Sequence, residues 1–374
     1  MANLKTSFAG IILKNPIVVA SSPLSENIEG IQKCEDYGAG AVITKSCSST
    51  RLNEQHFRRC YINQRGFWAA SGFDREIQDV YETLDYLSLA ISKTAMPVIA
   101  SVSELSLNVE DWLKTCNLVK QTGVAGIQLD LFYFENIFDD AAFKDKLVNL
   151  FSILIKELNI PIIPKLNINL PSLYMKKIFA DSGITNISLL DSVSLPSPIS
   201  IEGGISQCLK NSKNVHKASL FGAWQFPLTL KYLYDVYDER LSICAGGGIN
   251  QTEDIIQLIM YGATTVQIAT HIILNGYSSI QKFIEGIEEY LDDLNISNLA
   301  DIRGSAINNL SKTVEYTKNI PSWHKDECIN CNRCVEQSFC FSIQKNDDNI
   351  IINKERCESC SLCVNLCPSG ALKL

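Results

Sequence analysis

Four stretches of this chain read almost alike: YGAGAVIT from Tyr37, TGVAGIQL from Thr122, SGITNISL from Ser182 and YGATTVQI from Tyr261. In each, a glycine (Gly38, Gly123, Gly183, Gly262) follows an amphipathic run and leads at once into an apolar one. Glycine takes a left-handed helix end at little cost, so the pattern reads as helix, stop, strand. Eight apolar runs carry the strand signal: Ile17–Ser21, Ala41–Lys45, Pro97–Val102, Gly126–Leu131, Pro161–Leu166, Asn186–Asp191, Leu241–Gly246 and Thr265–Thr270. They are near-continuously apolar, as parallel strands buried on both faces are. Helical periodicity fills the gaps, as in Val109–Gln121, Ala141–Leu158, Thr252–Tyr261 and Ser278–Leu294. Eight strands alternating with helices over this length predict an α/β fold, a (β/α)8 TIM barrel. An open doubly wound sheet is the alternative, but no G-x-G-x-x-G follows any strand.

Two interruptions are longer than an ordinary strand-to-helix loop: Ser46–Arg75 after the second strand and Ser192–Gln225 after the sixth. Both leave the C-terminal ends of strands, where barrel enzymes build their sites, and are expected to be lids or pocket walls. The barrel is expected to occupy residues 1–310, with a linker over 311–323 and a cysteine-rich module over 324–374.

Of the 14 cysteines, eight fall between Cys328 and Cys367. Cys357-x2-Cys360-x2-Cys363-x3-Cys367-Pro368 is the spacing of bacterial-type ferredoxins. Cys328-x2-Cys331-x2-Cys334 repeats it, with Cys340 five residues on and Phe341 in place of the proline. In such runs three thiolates turn onto one cube and the distant cysteine crosses to the other. One [4Fe-4S] cluster is therefore assigned to Cys328, Cys331, Cys334 and Cys367, the other to Cys357, Cys360, Cys363 and Cys340. Tetrahedral zinc also accepts C-x2-C pairs and is the competing reading. The start, MANLKTSFAGIILKNP, lacks a long apolar core before a cleavage site, so a cytoplasmic location and metal rather than disulfides are expected. Mean hydropathy is +0.05, and no apolar run approaches the ~18–20 residues of a membrane span. The net charge of −8 argues against nucleic-acid or membrane-surface partners.

An electron-transfer tail implies a redox centre on the barrel. Ala245-Gly246-Gly247-Gly248-Ile249 leaves the seventh strand and Ile268-Ala269-Thr270 ends the eighth, the places where barrels commonly cup a phosphate. Together with LKNPIVVASSP, GAGAVITKS, PIIPKLN and NLADIRG, the stretch GGGINQTEDIIQLIMYGATTVQIAT resembles the FMN barrels of dihydroorotate and dihydropyrimidine dehydrogenases. A barrel followed by two ferredoxin clusters is the layout of the latter. The resemblance implies FMN beside Ala20 and Ser21, contacted by Lys45 and Ser46. It places Lys165 at the N1/O2 edge of the flavin, where a cation stabilises the reduced form. Gly222, Gly246, Gly247, Gly248, Ala269 and Thr270 would hold the phosphate.

The substrate side departs from that pattern. Where dihydroorotate dehydrogenases read N-L-S-C-P-N after the fourth strand, this chain reads Asp130-Leu131-Phe132-Tyr133-Phe134-Glu135. Tyr133 stands at the place of the usual cysteine or serine base, as a proton donor or an aromatic wall. Substrate asparagines are replaced by Ala70 and Asp191. An amide donates and accepts, whereas a carboxylate only accepts, so Asp130 and Asp191 disfavour a substrate carboxylate. The expected function is an FMN- and iron–sulfur-dependent oxidoreductase of a small cyclic nitrogenous substrate, not orotate. Its catalytic set would be Lys165, Tyr133, Asp130 and Asp191. Electron partners would be an NAD(P)H-oxidising flavoprotein subunit or a soluble ferredoxin, and the resemblance implies a homodimer. The alternatives are a non-catalytic relay subunit with a decayed pocket, or a flavin-free sugar-phosphate barrel. Cys34, Cys47, Cys60, Cys116, Cys208 and Cys244 read as small core residues, with Cys47 the one in reach of the site. Trp68 and Trp224 are expected to line a pocket. His56, His216, His271 and His324 show no ligand spacing.

Overall fold

The computed structural model describes residues 2–49, 59–62, 69–72, 77–134, 140–196, 199–203, 217–310, 318–336 and 340–374. Residues 59–62, 69–72, 217 and 310 are described by backbone alone. Glu135, Trp68, Cys208, His56 and His216 lie outside the described residues, as do the side chains of Cys60 and Ala70. The chain divides into two compact units, 1–310 and 311–374.

The first unit is a TIM barrel. Its strands are β1 (Ile17–Val19), β2 (Ala41–Ile43), β3 (Val98–Val102), β4 (Gly126–Asp130), β5 (Ile162–Lys165), β6 (Asn186–Ser188), β7 (Ser242–Gly246) and β8 (Thr265–Ile268). Every neighbouring pair is parallel, β8 pairs with β1, and β4 pairs with both β3 and β5, so the ring closes. Around it run α1 (Ile28–Asp36), α2 (Val80–Lys93), α3 (Val109–Lys120), α4 (Phe143–Leu158), α5 (Ser172–Ser182), α6 (Phe226–Val236), α7 (Thr252–Met260), the short α8 (Thr270–Asn275) and α9 (Ser278–Asp293). The four repeated glycines sit at φ +91, +88, +77 and +103 where α1, α3, α5 and α7 end. Three of these ends close in the Schellman manner, with Ala39, Ile184 and Ala263 N–H donating back to the carbonyls of Cys34, Phe179 and Leu258.

Side chains alternate along a strand, so strand register decides what the barrel holds. At the N-terminal end, Val18, Ala41, Ile43, Ile99, Ile163 and Cys244 form a fully buried apolar plug with Phe8 and Leu13. Those two come from an antiparallel hairpin, Thr6–Phe8 with Ile11–Leu13. One step up, the same parity brings Ser101, Gln128, Lys165, Ser188 and Gln267 inward, all buried. Register carries this polar layer round the ring: Ser101 pairs with Gln128, Asp130 with Lys165, and Lys165 with Ser188.

The two long interruptions supply strands that no local pattern announced. Arg59–Ile62, Ala69–Gly72, Lys217–Phe221 and Val193–Pro196 join in one four-stranded antiparallel sheet. After the barrel, Leu299–Ile302 and Ser305–Leu310 are short helical turns.

The second unit is small. Ser322–Trp323 pairs with Leu372–Lys373, and Ile343–Asn346 with Asn349–Ile352, both antiparallel. Ile343, Ile350 and Leu372 make its core, with Cys334, Cys340, Cys363 and Cys367 packed against them.

Between α4 and α5, Phe151 and Phe179 stack at 6.5 Å with both rings buried. Phe151→Ala is expected to lower barrel stability by about 3–5 kcal/mol, read as a lower denaturant midpoint by circular dichroism.

Candidate functional site

A cavity of about 390 Å³ opens at the C-terminal ends of the barrel strands, within the roughly 300–1,000 Å³ of small-molecule and cofactor sites. Ala20 and Ser21 after β1, and Lys45 and Ser46 after β2, lie on its wall. Asp130 and Tyr133 come from the end of β4, Lys165 from β5 and Asp191 from beyond β6. Gly247, Gly248, Ala269 and Thr270 complete the side formed by β7 and β8. Seven strands thus deliver residues that sequence order keeps up to 250 positions apart.

Gly222 and Gly246 are not on this wall, against expectation. Gly246 is backed onto Gln267, where any Cβ would collide with that residue's carbonyl. Gly222, at φ +131, turns the chain into Ala223–Gln225. Trp224 is also off the wall, which Gln225 lines instead. Cys47 is fully buried and off the wall, its thiol pushed up to about 12 by burial and by Glu104. It cannot replace the missing base; one residue of alternation beyond Ser46 turns it into the core. Cys34, Cys116 and Cys244 are buried, as small core residues are.

The charged centre is a set of three. Lys165 Nζ lies 3.0 Å from Asp191 Oδ2. Asp191 Oδ1 accepts the Ser192 amide at 2.7 Å, and Asp191 carbonyl accepts Gln225 Nε2 at 2.5 Å. Asp130 Oδ2 accepts the Ser46 hydroxyl at 2.7 Å and its Oδ1 the Phe132 amide at 3.0 Å. An ionised carboxylate only accepts, so the hydroxyls behind it are directional. Ser46 gives its proton to Asp130, Ser101 to Ser46 (2.9 Å), and Gln128 Nε2 donates to Ser101 (3.1 Å).

Burial works against charge on Asp130 and on Lys165. Burial, reinforced by Asp191, raises Asp130 despite Lys165, Ser46 and the Phe132 amide. Burial would depress Lys165, but Asp191 and Asp130 outweigh it and hold its pKa above the ordinary lysine value. Lys165 is therefore a buried cation whose charge is already engaged.

The wall suits an FMN-sized ligand. Gly247 and Gly248 sit at φ +98 and +93 and approach Gln225 and Phe226 so closely that a Cβ on either would collide. Their backbone, not a side chain, faces the cavity, as a phosphate cup requires. Gln267 also lines the cavity; its amide nitrogen donates to Leu189 carbonyl at 2.5 Å, while its buried Oε1 has no partner among the described residues. That acceptor would be satisfied by an N–H or O–H of a bound ring or polyol chain. Ser192, Ser219, Phe132, Phe221, Gln225 and Gln267 are wall residues that sequence reasoning missed. Only Gln267 carried a local signal, its inward parity on β8; Ser219 and Phe221 arrive on a strand of the insertion sheet and the others beyond strand ends.

In the second unit, Cys328, Cys331, Cys334 and Cys367 ring one small space. Burial raises Cys334, and Cys367, Cys328 and Cys331 add to it. Burial likewise raises Cys363, with Cys340, Cys357 and Cys360 as the neighbouring thiols. The two quartets are the two sets assigned from spacing. Among the described residues no His, Cys, Asp and Glu group is drawn tightly enough for a single metal ion. In both halves the middle cysteine lies between two left-handed residues: Asn330 and Asn332 (φ 56 and 62), then Ser359 and Ser361 (φ 58 and 59). Such alternation turns successive amides to one side and makes an anion-binding concavity. Burial would raise Cys367, but the Ser369 hydroxyl and the Leu372, Ser369 and Ala371 amides outweigh it and lower the thiol.

Residues 3–291 match the dihydroorotate dehydrogenase family, and residues 350–373 match the 4Fe-4S binding domain. The NAD-dependent dihydropyrimidine dehydrogenase subunit PreA of Escherichia coli is 23% identical over 398 residues, covering 100% of this chain and 95% of the relative. The dihydroorotate dehydrogenase B (NAD(+)) catalytic subunit of Thermoplasma acidophilum is 26% identical over 321 residues, covering 82% and 100%. The chloroplastic dihydropyrimidine dehydrogenase (NADP(+)) of Arabidopsis thaliana is 21% identical, covering 82% of this chain and 77% of its own length.

Lys165→Met leaves the buried Asp130 and the part-buried Asp191 without their cation. It is expected to cost about 3–5 kcal/mol at pH 7. A carboxyl with a raised folded pKa favours the folded state as pH falls. The gap to the parent chain, measured by denaturation, should therefore narrow between pH 7 and pH 5.

Proposed function

The chain belongs to the dihydroorotate dehydrogenase family, oxidoreductases acting on CH–CH bonds, and we propose that it works on a neutral, dihydropyrimidine-like ring rather than on dihydroorotate. The observation that carries this reading is the pair Asp130 and Asp191 on one cavity wall, with Lys165 engaged by Asp191 at 3.0 Å and facing the charge of Asp130. A carboxylate-bearing substrate would meet two acceptor-only anions there, whereas ring N–H groups would find acceptors.

When bound, FMN supplies hydride chemistry. Ser21, Lys45 and Ser46 would hold one edge of it and Gly247, Gly248, Ala269 and Thr270 its phosphate. Gln267 Oε1 offers a buried acceptor. Ser46 orients Asp130, and Lys165 with the Ser192 amide orients Asp191, so both carboxylates are fixed before any substrate arrives. Tyr133 and Asp130 are the candidates for holding the proton the reaction needs. Tyr133 meets Phe132 edge-on at 5.2 Å, which steadies its ring.

In the tail, the two cysteine quartets are proposed to carry two [4Fe-4S] clusters that relay single electrons. The partner would be an NAD(P)H-oxidising flavoprotein subunit or a soluble ferredoxin, with a homodimer as the assembly. A relay subunit without a substrate pocket is the weaker reading, since the cavity keeps an ordered charged wall.

Purified without oxygen, the chain is expected to release one FMN and about eight iron and eight sulfide per chain, as two clusters require. Uracil-type rings should perturb or reoxidise its reduced flavin, and orotate should not. Response to orotate alone would overturn the substrate reading.

A further inference from the structure

Lys165 is 5% exposed and Asp130 9%. Lys165 faces Asp191 at 3.0 Å and stands in strand register with Asp130, whose charge also acts on it. One buried ammonium is therefore paired with Asp191 and lies within reach of the charge of Asp130, all three on the wall of the cavity. We propose that Asp130 and Asp191 set a low reduction potential for the bound flavin, by neutralising the ammonium that would otherwise stabilise its reduced form. This rests on the FMN reading of the cavity.

A flavin that takes up two electrons and one proton gains one negative charge. Buried charges are little screened, so their sum decides whether that gain is favoured. A lysine without counter-charges favours it more than one paired with Asp191 and facing the charge of Asp130.

The backbone contacts of these two side chains do not themselves require charge. Asp191 Oδ1 accepts from the Ser192 amide and Asp130 Oδ1 from the Phe132 amide, bonds that an asparagine oxygen of the same shape also makes. What an amide does not do is offset the lysine. Ser46, Ser101 and Gln128 form a donor chain behind Asp130 that works toward its ionised form, against burial and Asp191. With the ammonium neutralised, the reduced cofactor gives up its electrons more readily.

The test compares the full chain with Asp191→Asn and Asp130→Asn, each loaded with FMN under anaerobic conditions. Potentiometric titration follows the flavin and cluster bands separately, and binding of oxidised and reduced FMN is measured alongside. Each amide variant is expected to shift the flavin midpoint positive. The matching change is about a tenfold or larger gain in affinity for reduced over oxidised FMN. Full flavin occupancy with that ratio unchanged or lowered in both variants overturns the inference alone. A parent chain that binds no FMN overturns the cofactor reading and the inference together. A purely structural role for either aspartate would weaken both flavin forms alike and leave the midpoint in place.

Discussion

Closure of eight parallel strands is the constraint from which everything else in the barrel follows. Once β4 pairs with β3 on one side and β5 on the other, register is no longer free, because a slip of one residue would turn every side chain to the opposite face. The helices cover the outer face with a single continuous core that includes Trp112, Phe151 and Phe179. The inner face must then be filled by alternate residues alone. Near the N-terminal end these are Val18, Ala41, Ile43, Ile99, Ile163 and Cys244. Two residues further along they are polar, and the interior changes from plug to site within one step of the pleat.

That change of character explains why a lysine can be buried here. Lys165 is almost fully buried, and its charge persists because Asp191 and Asp130 are brought to it from the ends of two other strands. The same meeting raises Asp130, which has burial and a second carboxylate against it. Neither shift belongs to one residue. They are joint properties of three groups whose spacing the closed sheet determines, and they place a tuned electrostatic centre where barrels place their chemistry.

Much of this was legible in the chain. All eight strands and the helix-ending glycines follow from periodicity and from glycine's tolerance of positive φ, which are local properties. The two cysteine quartets were also legible, because thiolate spacing within a short run is itself the geometry of the site; Asn330, Asn332, Ser359 and Ser361 supply the left-handed turns that draw the thiols together. Departures from expectation were of another kind. Gly246 is backed onto Gln267 and Gly222 turns the chain at φ +131, so neither lines the cavity. Cys47 is turned away from the cavity, into the core under the helices, by strand alternation.

By itself, then, the amino-acid order determined the barrel, the cysteine-rich unit, the strand ends that would bear a site and the residue types found there. Those outcomes depend on contacts within a few residues, and such contacts are written in the local pattern. Only the tertiary structure decided that Lys165 is engaged by Asp191, that Ser46 orients Asp130, and that strands from two distant insertions form one antiparallel sheet. Each of those joins segments tens of residues apart or more. Their meeting depends on the register of the closed ring, which no single segment encodes.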